Sequence, residues 1–223
     1  MVASKWERWA AATGVLAIAL LIAGALVSWG EPSGDSSDHK IVSWVTDNSN
    51  QIRMFIGAAL IGLGGIAFLW FFGTLRARLA RSEGEPARLA GIAFGGGIVC
   101  VTLLYAGITA SLIVPAEAAF TDKFKPDPNT ARLFLDAPFF LVAGAMLGAA
   151  AVACATSLVA LRTRALPRWL AWYGFVAAAG GLLFVPLYGV TGILVGLWVI
   201  ATSVVLWRQT APEQAPQAMT APT

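Results

Sequence analysis

Six stretches of this chain, 10–29, 54–73, 89–114, 139–161, 169–186 and 188–207, carry no charged side chain and are dominated by apolar residues. Each is long enough to cross the ~30 Å hydrocarbon core of a bilayer, which takes roughly 20 residues of helix. An open strand in lipid would leave its N–H and C=O groups unpaired, so only helices and closed barrels span membranes. These runs show no two-residue alternation of polar and apolar side chains, which excludes a barrel. The expectation is an all-α, polytopic membrane protein with six transmembrane helices. Composition agrees. The chain is 58% hydrophobic and 12% charged, against roughly 45–50% and about 25% for soluble domains. It is too poor in charge to be disordered or to bind nucleic acid, and two cysteines are too few for a disulfide scaffold.

Charge sets the orientation. Lys5, Arg8, Arg76, Arg78, Arg81, Arg88, Arg162, Arg164, Arg168 and Arg208 fall on one side of the spans. Lys40, Arg53, Lys123, Lys125 and Arg132 fall on the other, together with eight of the twelve acidic residues. The positive-inside rule then makes the first side cytoplasmic, with both termini there. Trp6, Trp9, Trp70, Trp169, Trp172 and Trp207 mark the cytoplasmic interface, and Trp29, Trp44 and Tyr188 the outer one. The first run is too long for the apolar part of a secretory leader, and Val27-Ser28-Trp29-Gly30 lacks a small-x-small cleavage pattern. It reads as an uncleaved helix. The implied place is the bacterial cytoplasmic (inner) membrane, with the lipid bilayer itself as the first partner and a membrane protein or a second copy as further partners.

The outer loops carry local structure. Ile41, Trp44, Val45, Asn48 and Ile52 follow helical spacing, which predicts a short amphipathic helix over 38–50 on the outer face. In the second loop, 115–138, Pro126, Pro128 and Pro138 argue against one continuous helix, and a short one can start near Asn129. The tail over 209–223, rich in Pro, Gln, Ala and Thr, reads as disordered. Leu75-Arg76-Ala77-Arg78 and Leu161-Arg162-Thr163-Arg164 both close a span, and the helices that follow each begin with Leu-Ala, then Phe and Gly-Gly. This is either a duplicated hairpin or the ordinary recurrence of basic and small residues at such turns.

The segments Phe68-Leu69-Trp70-Phe71-Phe72-Gly73-Thr74-Leu75-Arg76, Ser82-Glu83-Gly84-Glu85-Pro86-Ala87-Arg88-Leu89-Ala90 and Ala165-Leu166-Pro167-Arg168-Trp169-Leu170-Ala171-Trp172 resemble small bacterial multi-pass membrane proteins of domain-of-unknown-function families. The Leu-Pro-Arg-Trp-Leu segment before the fifth span carries most of the likeness. The resemblance implies a six-helix membrane fold and brings no activity or site residue with it.

The residues offer little chemistry. One histidine, His39, lies in an outer loop, and no metal or haem ligand set, phosphate-binding loop or charge at mid-span is present in the sequence. No cofactor is expected. Cys100 and Cys154 are a redox pair in one reading and, in the favoured one, two small buried hydrophobes. Gly91/Gly95, Gly144/Gly148 and Gly192/Gly196 are small-xxx-small pairs that suit close helix contacts. Thr102, Tyr105 and Thr109 share a face of the third span and, with Trp198 of the sixth, are the candidate lining of an outward-open cavity. Arg53, Glu117 and Asp136 are a candidate ion pair on the outer face, with snorkelling of Arg53 to the headgroups as the alternative. The leading expectation is a non-catalytic accessory or interaction protein of the cell envelope. The alternative is a small transporter or channel for a neutral or lipid-like solute. An enzyme built on Asp136, Glu117 or His39 ranks last.

Overall fold

The computed structural model describes residues 5–183 and 189–209, with side chains from residue 9 onward. The expected turn at 186–189 falls largely outside the described residues, and Trp6 and the tail beyond Gln209 fall outside the described side chains altogether. Everything regular in the described part is helical. The elements are α1 (Lys5–Ser28), α2 (Asp38–Thr46), α3 (Asn48–Glu83), α4 (Arg88–Phe120), α5 (Pro128–Thr163), α6 (Arg168–Leu182) and α7 (Val190–Gln209). Five of them, α1, α3, α4, α5 and α7, are long and apolar enough to cross a membrane. The fifth expected span corresponds to α6, whose 15 described residues rise only about 22 Å at 1.5 Å per residue.

Small residues set the packing. A methyl on Gly148 would stand 2.6 Å from the carbonyl oxygen of Gly96, and one on Gly96 2.7 Å from that of Gly148. α4 and α5 therefore meet backbone to backbone. Gly24 and Gly57 bring α1 and α3 together in the same way, and Gly181 lies against the Met146 carbonyl of α5. Lipid tails are as apolar as the side chains, so there is little hydrophobic drive between helices. Close van der Waals approach supplies the association instead. Of the expected small pairs, Gly91 and Gly95 meet nothing and lie on the outside of α4; the adjacent Gly96 and Gly97 make the contacts.

Each contact also fixes direction. Gly24 meets Gly57 and Gly64 meets Ala17, so α1 and α3 are antiparallel. The same logic makes α3–α4 (Gly65 on Tyr105, Gly97 on Phe72), α4–α5, α5–α6 (Gly174 on Ser157) and α6–α7 antiparallel. The ring closes where α7 packs on α1, with Gly14 against Ser203 and Trp9 against Trp207 at 6.2 Å between ring centres. The start of α1 and the end of α7 thus share one end of the bundle. The basic turns lie there too: Arg78 donates to Gln209, which donates to the Ala165 carbonyl.

At the opposite end α3, α4 and α5 are longer than a ~30 Å bilayer core requires. With 36 residues, α3 extends ~54 Å. α2 lies on this extension, burying Ile41 and Val45 against Met54, Val114, Ala131 and Leu135. The helix expected over 38–50 stops at Thr46 because Asp47 turns extended and caps α3, accepting from the Asn50 amide. The second outer loop also shrinks. α4 runs on through Pro115 to Phe120, and α5 begins at Pro128 and passes through Pro138. Pro128 sits where its missing N–H costs nothing, and Asp127 accepts from the Thr130 amide and hydroxyl. Those bonds hold the Asp127 carboxyl below the usual carboxylate range.

The α4–α5 contact yields the first prediction. Gly148→Val forces two backbones apart and should cost about 1–3 kcal/mol, the usual penalty of overpacking. Gly95→Ala, which meets no neighbour, should be near neutral. Thermal unfolding of both in detergent checks the difference.

Candidate functional site

Ring closure leaves a void along the bundle axis. A cavity of about 540 Å³ is lined by Ile18 and Leu21 of α1, Phe68 and Phe72 of α3, Cys100 and Leu104 of α4, Met146 and Val152 of α5, and Val195 and Trp198 of α7, among others. Its wall is almost wholly apolar. It falls within the ~300–1,000 Å³ range of small-molecule sites. Ile22 and Ala25 of α1 and Gly189, Gly192 and Ile193 of α7 line it while remaining exposed. It therefore meets the outside of the bundle between α1 and α7, on the side that a span turns to lipid.

A second cleft of about 150 Å³ continues toward the α2 end, sharing Ile61, Leu104 and Val142 with the first. Its rim is different. Ser28, Ser111 and Glu31 stand among Met54, Ala58, Gly107, Ile108 and Pro138. Glu31 is exposed and stands at the mouth of this apolar cleft. Burial against these groups, and then the negative charge of Asp136, push its carboxyl from an ordinary 4.5 up to about 7.

Two arginines hold this rim. Arg53 at the outer end of α3 donates from Nε to the Val27 carbonyl at 3.1 Å and from Nη2 to the Trp29 carbonyl. These are acceptors at the end of α1 without intrahelical donors, where a cation also suits the helix dipole. Arg132 of α5 pins the loop that follows. It donates to the Gly34 and Ser36 carbonyls at 3.1 and 2.7 Å and pairs with Asp38 at 2.7 Å. The segment 31–34 is thereby laid over Asp136, whose Oδ2 would lie 3.4 Å from a Cβ at Gly34.

The residues singled out from the sequence are distributed differently from expectation. Trp198 lines the axial cavity. Tyr105 packs on Gly65 and donates to the Gly62 carbonyl at 3.0 Å, while Thr102 and Thr109 are exposed. None of these three is part of the lining. Successive helix residues turn about 100°, so the wall on α4 is the opposite face, with Cys100, Leu104, Gly107, Ile108 and Ser111. Cys100 contributes to that wall; both cysteines are free. On the outer face, Arg53 binds carbonyls rather than Glu117 or Asp136, and Glu117 accepts from the Thr121 hydroxyl. Carbonyls at the end of α1 lie nearer its guanidinium than the carboxylates do. Among the described residues no group of three or more His, Cys, Asp or Glu side chains is placed to hold a metal ion.

Glu31 was not singled out. It reads as one more outer-loop acid, and only the return of α4 and α5 over the end of α1 gives it an apolar setting. Comparison with known proteins adds no constraint: no family model, curated protein or solved structure matches the chain.

The raised Glu31 carboxyl has a consequence for stability. Between pH 4.5 and about 7 the folded chain keeps a proton that the unfolded chain has lost, so stability falls as pH rises through that window. Glu31→Gln cannot ionise. It should melt a few degrees above the wild type at about pH 8 and match it at about pH 4, because only the folded carboxylate is disfavoured. Melting temperatures across that range check the sign.

Proposed function

We propose that this protein binds, and passes laterally or across the bilayer, a lipid-like molecule whose apolar chain lies in the axial cavity. The observation that carries this reading is the cavity itself. The void is large and apolar, and it opens to the outside between α1 and α7. Water has too few polar partners on that wall to occupy it. An apolar chain does, and the gap between α1 and α7 offers an entry from the lipid. Of the two functional expectations, an envelope accessory protein and a carrier or channel for a neutral or lipid-like solute, the cavity favours the second.

The membrane placement supporting this is a six-span, inner-membrane topology of bacterial type, both termini cytoplasmic. Its support is the antiparallel ring. α6 lies between α5 and α7 and opposes both, so the chain traverses the bundle an even number of times. The arginine-rich turns collect at the end shared by α1 and α7. A short α6 is accommodated by local thinning of the bilayer without changing that parity.

Two measurements test the reading. A diazirine-bearing stearyl alcohol in proteoliposomes should label peptides containing Ile61, Leu104 and Val142. Gly192→Phe, whose Cβ meets no neighbour and whose ring fills the cavity, should reduce that labelling several-fold. Label confined to the outward residues Leu63 and Leu147, or unchanged by the substitution, contradicts it. For topology, Asp35→Cys in intact cells should react with a membrane-impermeant maleimide while Glu85→Cys does not; reaction at Glu85→Cys reverses the orientation.

A further inference from the structure

The axial cavity and the cleft at whose rim Glu31, Ser28 and Ser111 stand share a wall, made by Ile61, Leu104 and Val142. A molecule lying along both has its chain among Phe68, Phe72, Met146 and Trp198 and its end at Glu31. The charge around that end is uneven. From α5, Asp136 adds a second negative charge, felt directly by Glu31. From α3, the positive charge of Arg53 is near, with guanidinium nitrogens 3.9 and 4.0 Å from the Cβ position of Gly30. It is aimed at the Val27 and Trp29 carbonyls instead of at the cleft. α1 and α4 bring the Ser28 and Ser111 hydroxyls and no charge to the lining. α2 brings no residue to it; its Asp38 is paired with Arg132.

We propose that the ligand is an amphiphile with a cationic, hydrogen-bond-donating headgroup, and that Glu31 is the residue that recognises it, exchanging its own proton for that headgroup. This rests on the cavity reading above and adds the chemical class. An ammonium group at the rim meets the Glu31 carboxylate and two hydroxyl acceptors, with the charge of Asp136 nearby. A carboxylate or phosphate there faces like charge, which disfavours it. An uncharged alcohol gains hydrogen bonds and no ion pair. When an ammonium arrives at protonated Glu31, the carboxylic acid releases its proton to the water at the outer mouth, and the carboxylate–ammonium pair takes its place. Charge balances, since one cation enters the cleft as one proton leaves.

Three ligands of one chain length separate the headgroup from the chain: dodecylamine, dodecanol and dodecanoate, each titrated into protein in nanodiscs against empty nanodiscs. At about pH 8 the amine should bind at least about tenfold more tightly than dodecanoate, with dodecanol between. Lowering the pH to about 6 should weaken the amine about tenfold, one decade of affinity per unit below a carboxyl near 7, and leave dodecanol unchanged. A pH indicator in weak buffer at that lower pH should report close to one proton released per amine bound. Glu31→Gln should abolish the amine preference, its pH dependence and the proton release while still binding dodecanol. If dodecanol binds but the amine holds no advantage, or if Glu31→Gln keeps it, the headgroup assignment is overturned and the cavity reading stands. If none of the three binds beyond the empty nanodisc, both fall.

Discussion

The fold depends on backbone meeting backbone at glycine. Inside a bilayer every peptide group must be paired within its own helix, and helices have little hydrophobic reason to associate. What remains is contact at short range, and the chain provides it at Gly24–Gly57 and Gly96–Gly148. Each such contact sets two helices nearly as close as their main chains permit. It also fixes their relative register, and with it which side chains face inward. Large groups at those positions would separate the helices and with them the whole ring.

Closing a ring from such contacts has a geometric cost. Glycines and alanines crowd the seams between neighbours, while Phe68, Phe72, Trp198 and the aliphatic side chains point to the axis without filling it. The void and its tight seams therefore have one origin. At the end away from the basic turns, α3, α4 and α5 extend past the end of α1, and the chain leaving α1 folds back over them. Arg53 and Arg132 fasten that return by binding main-chain carbonyls. The same fastening puts Glu31 at the rim of an apolar cleft and near Asp136, which push its carboxyl up to about 7. No catalytic machinery is needed for such an arrangement to discriminate between headgroups.

Much of the helical framework was legible in the chain because it follows from local composition: uncharged runs of span length, and basic residues gathered in alternate turns. The apolar stripe of α2 was legible for the same reason, through Ile41 and Val45 at helical spacing. Its end was not, since Asp47 as a cap for the next helix outweighs continuation to residue 50. Pro138 was counted against a continuous helix through the second loop, yet it lies inside α5, as Pro115 lies inside α4. The lining of the cavity was largely hidden. In a water-soluble helix the polar face points outward and the apolar face inward, but on α4 both faces are apolar. Thr102 and Thr109 therefore gave no reliable indication of which one turns inward. Glu31 was hidden for a different reason, because its setting is made by α3, α4 and α5, at least 20 residues away in sequence on every side. Trp198, at mid-span of α7, is among the residues that line the axial cavity.

The central claim is that the apolar axial cavity, bordered toward the α2 end by the cleft that Glu31 lines, holds an amphiphile. An experimental density map of the protein purified in native lipid tests it most directly. The account predicts continuous elongated density from beside Trp198, past Leu104 and Ile61, ending against the Glu31 carboxyl. Helices collapsed onto one another there, with Trp198 and Phe72 filling the axis and no room for a chain, would contradict it.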